Sequence, residues 1–221
     1  MSISRRAAVL CALCLSITAS AGAQFMHRGP QAPKMPTPFH PVMGSGARYQ
    51  MTTQEGTMNF TYAVVGKEQV EGNEGYWLEI RTERPQSEGE MIMKELMVMS
   101  TPHPEIKRMI VQPPGRPPME MPLGMMGMMQ QRSQPGQETG NGLGEKIGTE
   151  SITVPAGTFE CEHYRKQEED KTVDFWVSTK VPPYGLVKMT SAGTSMVLEK
   201  VLSNETSHVK GEPQKMQMPN F

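Results

Sequence analysis

Alternation of apolar and polar side chains is the dominant pattern of this sequence, and it recurs in several short runs. In the run 58–64 every second residue is apolar, and the same spacing recurs at 76–80 and 173–177. Such alternation places one set of side chains on each face of a β-strand. Turn residues separate the runs, including those at 71–73, 155–157 and 182–183. The pattern predicts a mainly β fold, a curved antiparallel sheet or half-barrel, with few or no helices beyond an N-terminal signal peptide.

The run 91–99 differs because it is apolar on both faces. One face carries Met91, Met93, Met97 and Met99, interrupted by Glu95, and the other carries Ile92, Leu96 and Val98. A strand that is apolar on both sides is covered on both sides. The pattern therefore predicts that a loop, a helix or a ligand covers this strand from the far side of the sheet.

The N-terminus has the features of an export signal. Arg5 and Arg6 precede an apolar run at 7–19, and Ala21-Gly22-Ala23 supplies small residues for cleavage. The run is shorter than the about 20 apolar residues that a membrane-spanning helix needs. We therefore interpret residues 1–23 as a signal peptide and expect a periplasmic or secreted protein without an integral membrane span after cleavage.

Composition divides the rest of the chain. The leader 24–46 is rich in proline and the tail 204–221 is polar, so both are predicted to be disordered. Between them, residues 47–203 are predicted to form a single β domain. Within it, the loop 113–143 is rich in methionine, proline and glycine. A loop of this length in a compact domain is usually functional or disordered.

Charge and cysteine content narrow the function classes. The chain has 22 basic and 23 acidic residues, and loss of residues 1–23 leaves 20 against 23, a formal charge of −3. This balance argues against nucleic acid, which favours a basic face. Only Cys161 remains after cleavage, so no intramolecular disulfide is expected.

Methionine is the compositional outlier, with 21 residues. Because its side chain is flexible and polarisable, clustered methionines suit an adaptable apolar pocket. Thioethers are also soft ligands that favour Cu(I). Four methionines of the loop fit either hypothesis: Met125, Met126, Met128 and Met129. They would form the lid of an apolar pocket, or they would bind copper together with Met26, His27, His40 and Met43. A third interpretation is that methionine is only a filler.

Cys161 and His163 lie two residues apart on a predicted strand and so share a face with Phe159. A thiol beside an imidazole is the basis of a nucleophile pair or of half a metal site. No second cysteine and no motif-placed Asn or Asp supports either, so we favour a structural role. We predict no catalytic residue, no metal ligand and no cofactor.

Three segments form a recognisable series: the hairpin sequence VPAGTF at 154–159, the tryptophan-containing strand at 174–178 and the GLVK strand at 185–188. They resemble uncharacterised bacterial exported domains related to the lipoprotein-sorting (LolA/LolB-like) superfamily. The resemblance implies a curved antiparallel sheet that holds an acyl chain or another apolar ligand in a half-barrel. In that interpretation the pocket is lined by Met91, Met93, Met97 and Met99, and the four loop methionines form its lid.

The leading hypothesis is a non-enzymatic periplasmic or secreted protein that binds a lipid or lipoprotein moiety in a β cradle. One alternative is a Cu(I)-binding exported protein that uses its clustered methionines. The other is an envelope interaction module without a small ligand.

Overall fold

The computed structural model describes residues 32–33, 35–83, 89–99, 104–122, 124, 142–168 and 171–216. The elements formed by these residues are twelve strands. They are β1 (Gly46–Thr53), β2 (Gly56–Val70), β3 (Asn73–Glu83), β4 (Met91–Val98), β5 (Glu105–Gln112), β6 (Met119–Glu120), β7 (Glu145–Val154), β8 (Gly157–Glu168), β9 (Lys171–Val177), β10 (Leu186–Ser191), β11 (Thr194–Leu202) and β12 (Gln214–Lys215).

All twelve strands belong to one sheet, in the order β12-β6-β5-β4-β3-β2-β1-β11-β10-β9-β8-β7. Neighbouring strands are antiparallel except at one edge, where β12 pairs with β6 in parallel. The sheet is open and curved and does not close into a barrel, which confirms the predicted fold class. No helix of the described residues combines the length and apolar character needed to cross a membrane.

Irregular pairing accompanies the curvature. The register shifts between Arg48 and Tyr49 in β1 and between Val64 and Gly66 in β2. Such bulges bend a strand and increase its twist. At the far end of the sheet, the Ala156 N–H in the β7–β8 turn donates to Leu198 O of β11 at 3.4 Å, although β9 and β10 lie between β8 and β11. The sheet therefore curls far enough for its β7–β8 end to contact β11.

The curl encloses the main hydrophobic core on one face of the sheet, which we call the inner face. Tyr49 and Phe60 lie directly opposite each other there, as do Tyr62 and Ile80. All four are buried. A smaller cluster of Trp77, Leu96 and Ile110 lies apart from this core, on the other, outer face. Strands β3 and β4 are thus apolar on both faces.

The described residues of the leader, from Ala32 onward, contribute to the inner face. Phe39 is buried and its ring lies 5.4 Å from that of Tyr184. The His40 N–H donates to Pro183 O at 2.8 Å. Although its proline content led us to expect a disordered segment over 24–46, this part of it is packed against the domain, because Phe39 gains from burial. Residues 24–31 and 34 lie outside the described residues.

The C-terminal segment 203–216, here called the C-terminal strap, crosses the outer face. Its composition led us to expect a disordered tail. The Ser207 hydroxyl donates to Glu79 Oε2 at 2.8 Å, and the His208 N–H donates to both oxygens of the same carboxylate at 3.0 and 3.1 Å. Arg81 lies 3.4 Å from Glu79 and donates to Glu205 Oε2 at 2.7 Å. Polar contacts to a fully buried carboxylate therefore order a segment that has little apolar content.

Val209 of the strap packs against the cluster of Trp77, Leu96 and Ile110. Farther along, the Lys210 N–H donates to Gln112 Oε1 at 2.9 Å, and β12 then pairs with β6. The strap is thus what covers the second apolar face of β4, the cover that the sequence pattern required.

Replacement of Ser207 by alanine is expected to destabilise the protein, because it removes a donor from a fully buried carboxylate. Hydrogen bonds to charged groups contribute about 1.5–3 kcal/mol, and the exposure of Ser207 favours the lower end. The measurement is the free energy of unfolding in urea. The matched control is Ser203→Ala in the same strap, at an exposed residue whose side chain makes no hydrogen bond within the described residues, with an expected change within about 0.5 kcal/mol. Equal effects of the two variants would contradict this account of the strap.

Candidate ligand-binding face

Three of the four methionines predicted to line a pocket lie on the inner-face side of β4, and Met99 directly follows the strand. Met97 is buried in the main core and Met93 packs against it. Met91 and Met99 lie at the two ends of the run and are 36% and 39% exposed. The structure therefore brings two of the four predicted residues into the inner face and leaves the other two at its margin. The predicted lid residues Met125, Met126, Met128 and Met129 lie outside the described residues.

A second group of methionines runs across the sheet on the same face. Met58 of β2 lies opposite Met51 of β1, Met51 lies opposite Met196 of β11, and Met196 lies opposite Met189 of β10. We call these four residues the methionine row. Met196 is fully buried, whereas the other three are half-buried and pack against the core. The residues are far apart in sequence, so only the strand register shows that they form one row.

Glu95 lies between Met93 and Met97 on the inner-face side of β4. Across the sheet it is flanked by Leu78 of β3 and Met109 of β5. Its side chain is buried, at 9% exposure. Within the described part of the chain no group donates a hydrogen bond to it or forms an ion pair with it. A carboxyl group thus interrupts an otherwise apolar surface, and it has no partner among the described residues.

Two further observations define the state of this carboxyl. Burial raises the pKa of Glu95 to about 7. Among the described residues, the side-chain polar atoms that are both sealed from solvent and unbonded are Thr37 Oγ1 and Asn59 Oδ1. The Glu95 oxygens are not among them, so they are not fully sealed from solvent. Close to neutral pH this group exists in both its protonated and its ionised form.

Three tyrosines surround this part of the inner face. The Tyr62 hydroxyl donates to Pro33 O at 2.7 Å, and the Tyr49 hydroxyl donates to Leu186 O at 2.9 Å. The rings of Tyr62 and Tyr184 meet edge to face at 5.9 Å between centroids. Burial raises the pKa of all three hydroxyls, and the Glu95 charge adds to the rise in the pKa of Tyr62 and Tyr184. The tyrosines are therefore neutral and supply no charge to oppose that of Glu95.

Cys161 and His163 do not act on each other in this arrangement. Cys161 is buried in the main core, where its thiol contacts Phe159 O at 3.5 Å. Burial raises the pKa of this thiol to about 11. His163 instead lies between Glu150 at 3.0 Å and Asp174 at 2.7 Å, and its ring stacks on another aromatic side chain, that of Trp176. The thiol remains protonated at neutral pH, which supports the structural role predicted for it.

The proposed copper ligands are only partly described. His40 and Met43 lie exposed at the surface, whereas Met26, His27 and the loop methionines lie outside the described residues. Over the described ranges, no three His, Cys, Asp or Glu side chains come together as a metal site. The copper hypothesis rests on thioethers from the loop, and it stays a prediction.

Comparison with known proteins shows similarity only at the level of solved structures, since no family model and no curated protein matches the chain. One similar structure is that of a Bacteroides fragilis protein described as exported and as having a YmcC-like fold; it is 13% identical, with a TM-score of 0.38 over 75% of this chain and 99% of that one. Another is that of a Parabacteroides distasonis protein described as a lipoprotein, 16% identical, with a TM-score of 0.36 over 77% of this chain and 100% of that one. At these scores neither similarity carries an argument about function. The resemblance to the LolA/LolB-like superfamily stays a prediction.

The stability of the protein is expected to depend on pH through Glu95. Its pKa rises from 4.5 to about 7 on folding, so between these pH values the folded state binds more protons than the unfolded state. The free energy of unfolding should therefore decrease as pH rises through this window, by up to about 3 kcal/mol. Glu95→Gln removes this loss and should be more stable than the wild type at pH 8 and nearly equal to it at pH 4.

Urea unfolding at a series of pH values measures this difference. Glu55→Gln, at an exposed turn residue, removes the same charge from the surface and should follow the wild-type pH dependence. Parallel curves for wild type and Glu95→Gln would show that Glu95 is solvated in the folded protein.

Proposed function

We propose that this chain is an exported, non-enzymatic protein that holds an apolar ligand, of the lipid or lipoprotein class, on the inner face of its curved sheet. The observation that carries the proposal is the methionine lining of that face. It comprises the methionine row on β2, β1, β11 and β10 together with Met93 and Met97 on β4. The signal-peptide features of residues 1–23 support export.

The methionine lining favours a ligand over simple core packing. Met51, Met58 and Met189 are half-buried even though they share a face with the main core. Covering exposed apolar surface contributes roughly 25 cal/mol per Å². Contiguous apolar surface of this kind marks a ligand or partner site in soluble proteins. Because methionine adapts its shape, such a surface accommodates flexible chains better than one rigid ligand.

The chemistry of the described residues supports a binding role rather than catalysis. The Cys161 thiol is protonated and buried, and both nitrogens of His163 face carboxylates. Nucleophilic catalysis needs a base within hydrogen-bond reach of the nucleophile. These two side chains do not provide that arrangement.

Binding of the neutral, polarity-sensitive dye Nile red tests the proposal. The double variant Met51→Gln/Met93→Gln keeps the side-chain length and adds polar groups at two separate points of the lining. We expect its dissociation constant for the dye to increase about 10-fold, which corresponds to about 1.4 kcal/mol. The two half-buried methionines together lose a part of the about 1.5–3 kcal/mol that full burial of each would contribute. Fluorescence titration measures the change.

The matched control is Met43→Gln, the same substitution at a methionine that is 49% exposed in the leader. It should bind the dye like the wild type. A separate variant tests the predicted lid by replacing four methionines with serine: Met125, Met126, Met128 and Met129. This variant should bind the dye more weakly, and its thermal midpoint should remain nearly unchanged. Wild-type affinity in the Met51/Met93 double variant would contradict the proposed function.

A further inference from the structure

We propose that the ligand of the inner face carries a basic amine that pairs with Glu95, so that this face selects long-chain amines over neutral alcohols and fatty acids. The inference rests on the proposed function and names its ligand class. It begins from the geometry of β4, where a carboxyl group lies in the middle of an apolar strand face.

The four nearest neighbours of Glu95 in the sheet offer it nothing polar. Met93 and Met97 flank it along β4, and Leu78 and Met109 flank it across the sheet. A buried ionised carboxylate is strongly disfavoured unless it is paired or hydrogen-bonded. Yet Glu95 has no such partner among the described residues, while its oxygens are not fully sealed from solvent. Since the described residues do not supply a partner, a group on the ligand is the partner that we infer for this carboxyl.

The charges around Glu95 favour a cation over an anion. The nearby Tyr62 and Tyr184 hydroxyls are neutral, and both feel the Glu95 charge. Lys67, a basic residue near the end of this face, is already paired with Glu74 and lies 5.6 Å from the Tyr76 ring centroid. An anionic ligand head at Glu95 would therefore meet a like charge, and Lys67, already paired with Glu74, would not compensate it.

An ammonium group also fits better than a neutral hydrogen-bond acceptor. A neutral acceptor needs Glu95 to keep its proton, and that form is lost as pH rises above about 7. An ammonium carries three N–H donors and a positive charge, so it pairs with the ionised carboxylate. The amine preference should therefore be present at pH 8 and should weaken at pH 5.

Displacement of Nile red by dodecylamine, dodecan-1-ol and dodecanoate tests the inference at pH 8, with each compound kept below its solubility limit or critical micelle concentration. We expect the wild type to bind dodecylamine about 10-fold more tightly than dodecan-1-ol. The reason is that the ammonium group forms an ion pair with Glu95 in a place where both charges are shielded from water. Dodecanoate should bind most weakly. In Glu95→Gln the advantage of the amine should fall to about 2-fold, while the affinity for the alcohol stays within about 2-fold of wild type.

Glu55→Gln controls for the loss of one negative charge and should keep the full amine preference. The wild type at pH 5 provides an independent measurement without any substitution, and the preference should shrink there. Equal affinities for amine and alcohol at pH 8, or an amine preference that survives in Glu95→Gln, would overturn the inference while leaving the apolar cradle intact. If wild-type protein does not bind Nile red, the proposed function itself fails.

Discussion

The contact between the buried Glu79 carboxylate and the C-terminal strap is the interaction on which both faces of this sheet depend. Strands β3 and β4 are apolar on two sides, and a single sheet can enclose only one side by curling. The strap covers the other, because Ser207 and His208 donate to Glu79 and place Val209 over Trp77, Leu96 and Ile110. With its outer face covered in this way, the sheet can use its curvature to form the inner face.

Two buried carboxyl groups on adjacent strands show how burial leads to different roles. Glu79 is fully buried and accepts three hydrogen bonds from two strap residues, a geometry that suits a structural ion. Glu95, on the opposite face, is almost as buried and has no donor among the described residues. The strap thus satisfies the hydrogen bonding of Glu79, whereas no described residue does so for Glu95. That difference is the physical basis for assigning Glu95 to ligand recognition.

Much of the architecture could be predicted from the sequence, because period-two alternation acts locally. The runs at 58–64, 76–80 and 173–177 lie in strands β2, β3 and β9, and the two-sided run at 91–99 correctly required a cover. The identity of that cover could not be predicted from composition. Residues 203–216 are polar, and their order comes from contacts with Glu79 and Gln112, which lie more than ninety positions away in the chain.

Only part of the candidate site could be predicted from the sequence, because the rest depends on contacts between residues that are distant in the chain. Met93 and Met97 follow from the pattern of one strand. The methionine row needs the register of three strand pairs, and a shift of one residue in any of them would move a methionine to the other face. Glu95 looked like an interruption of an apolar face. Only its burial and the absence of a partner among the described residues distinguish it from a solvated charge.

Native mass spectrometry of the mature protein, exported to the periplasm and purified without detergent, tests the central claim most directly. The account predicts a bound mass of lipid size that is lost on organic extraction. The Met51→Gln/Met93→Gln double variant should carry less of it, and Met43→Gln should carry as much as the wild type. A bare polypeptide mass, or a mass shift that matches copper alone, would contradict the account.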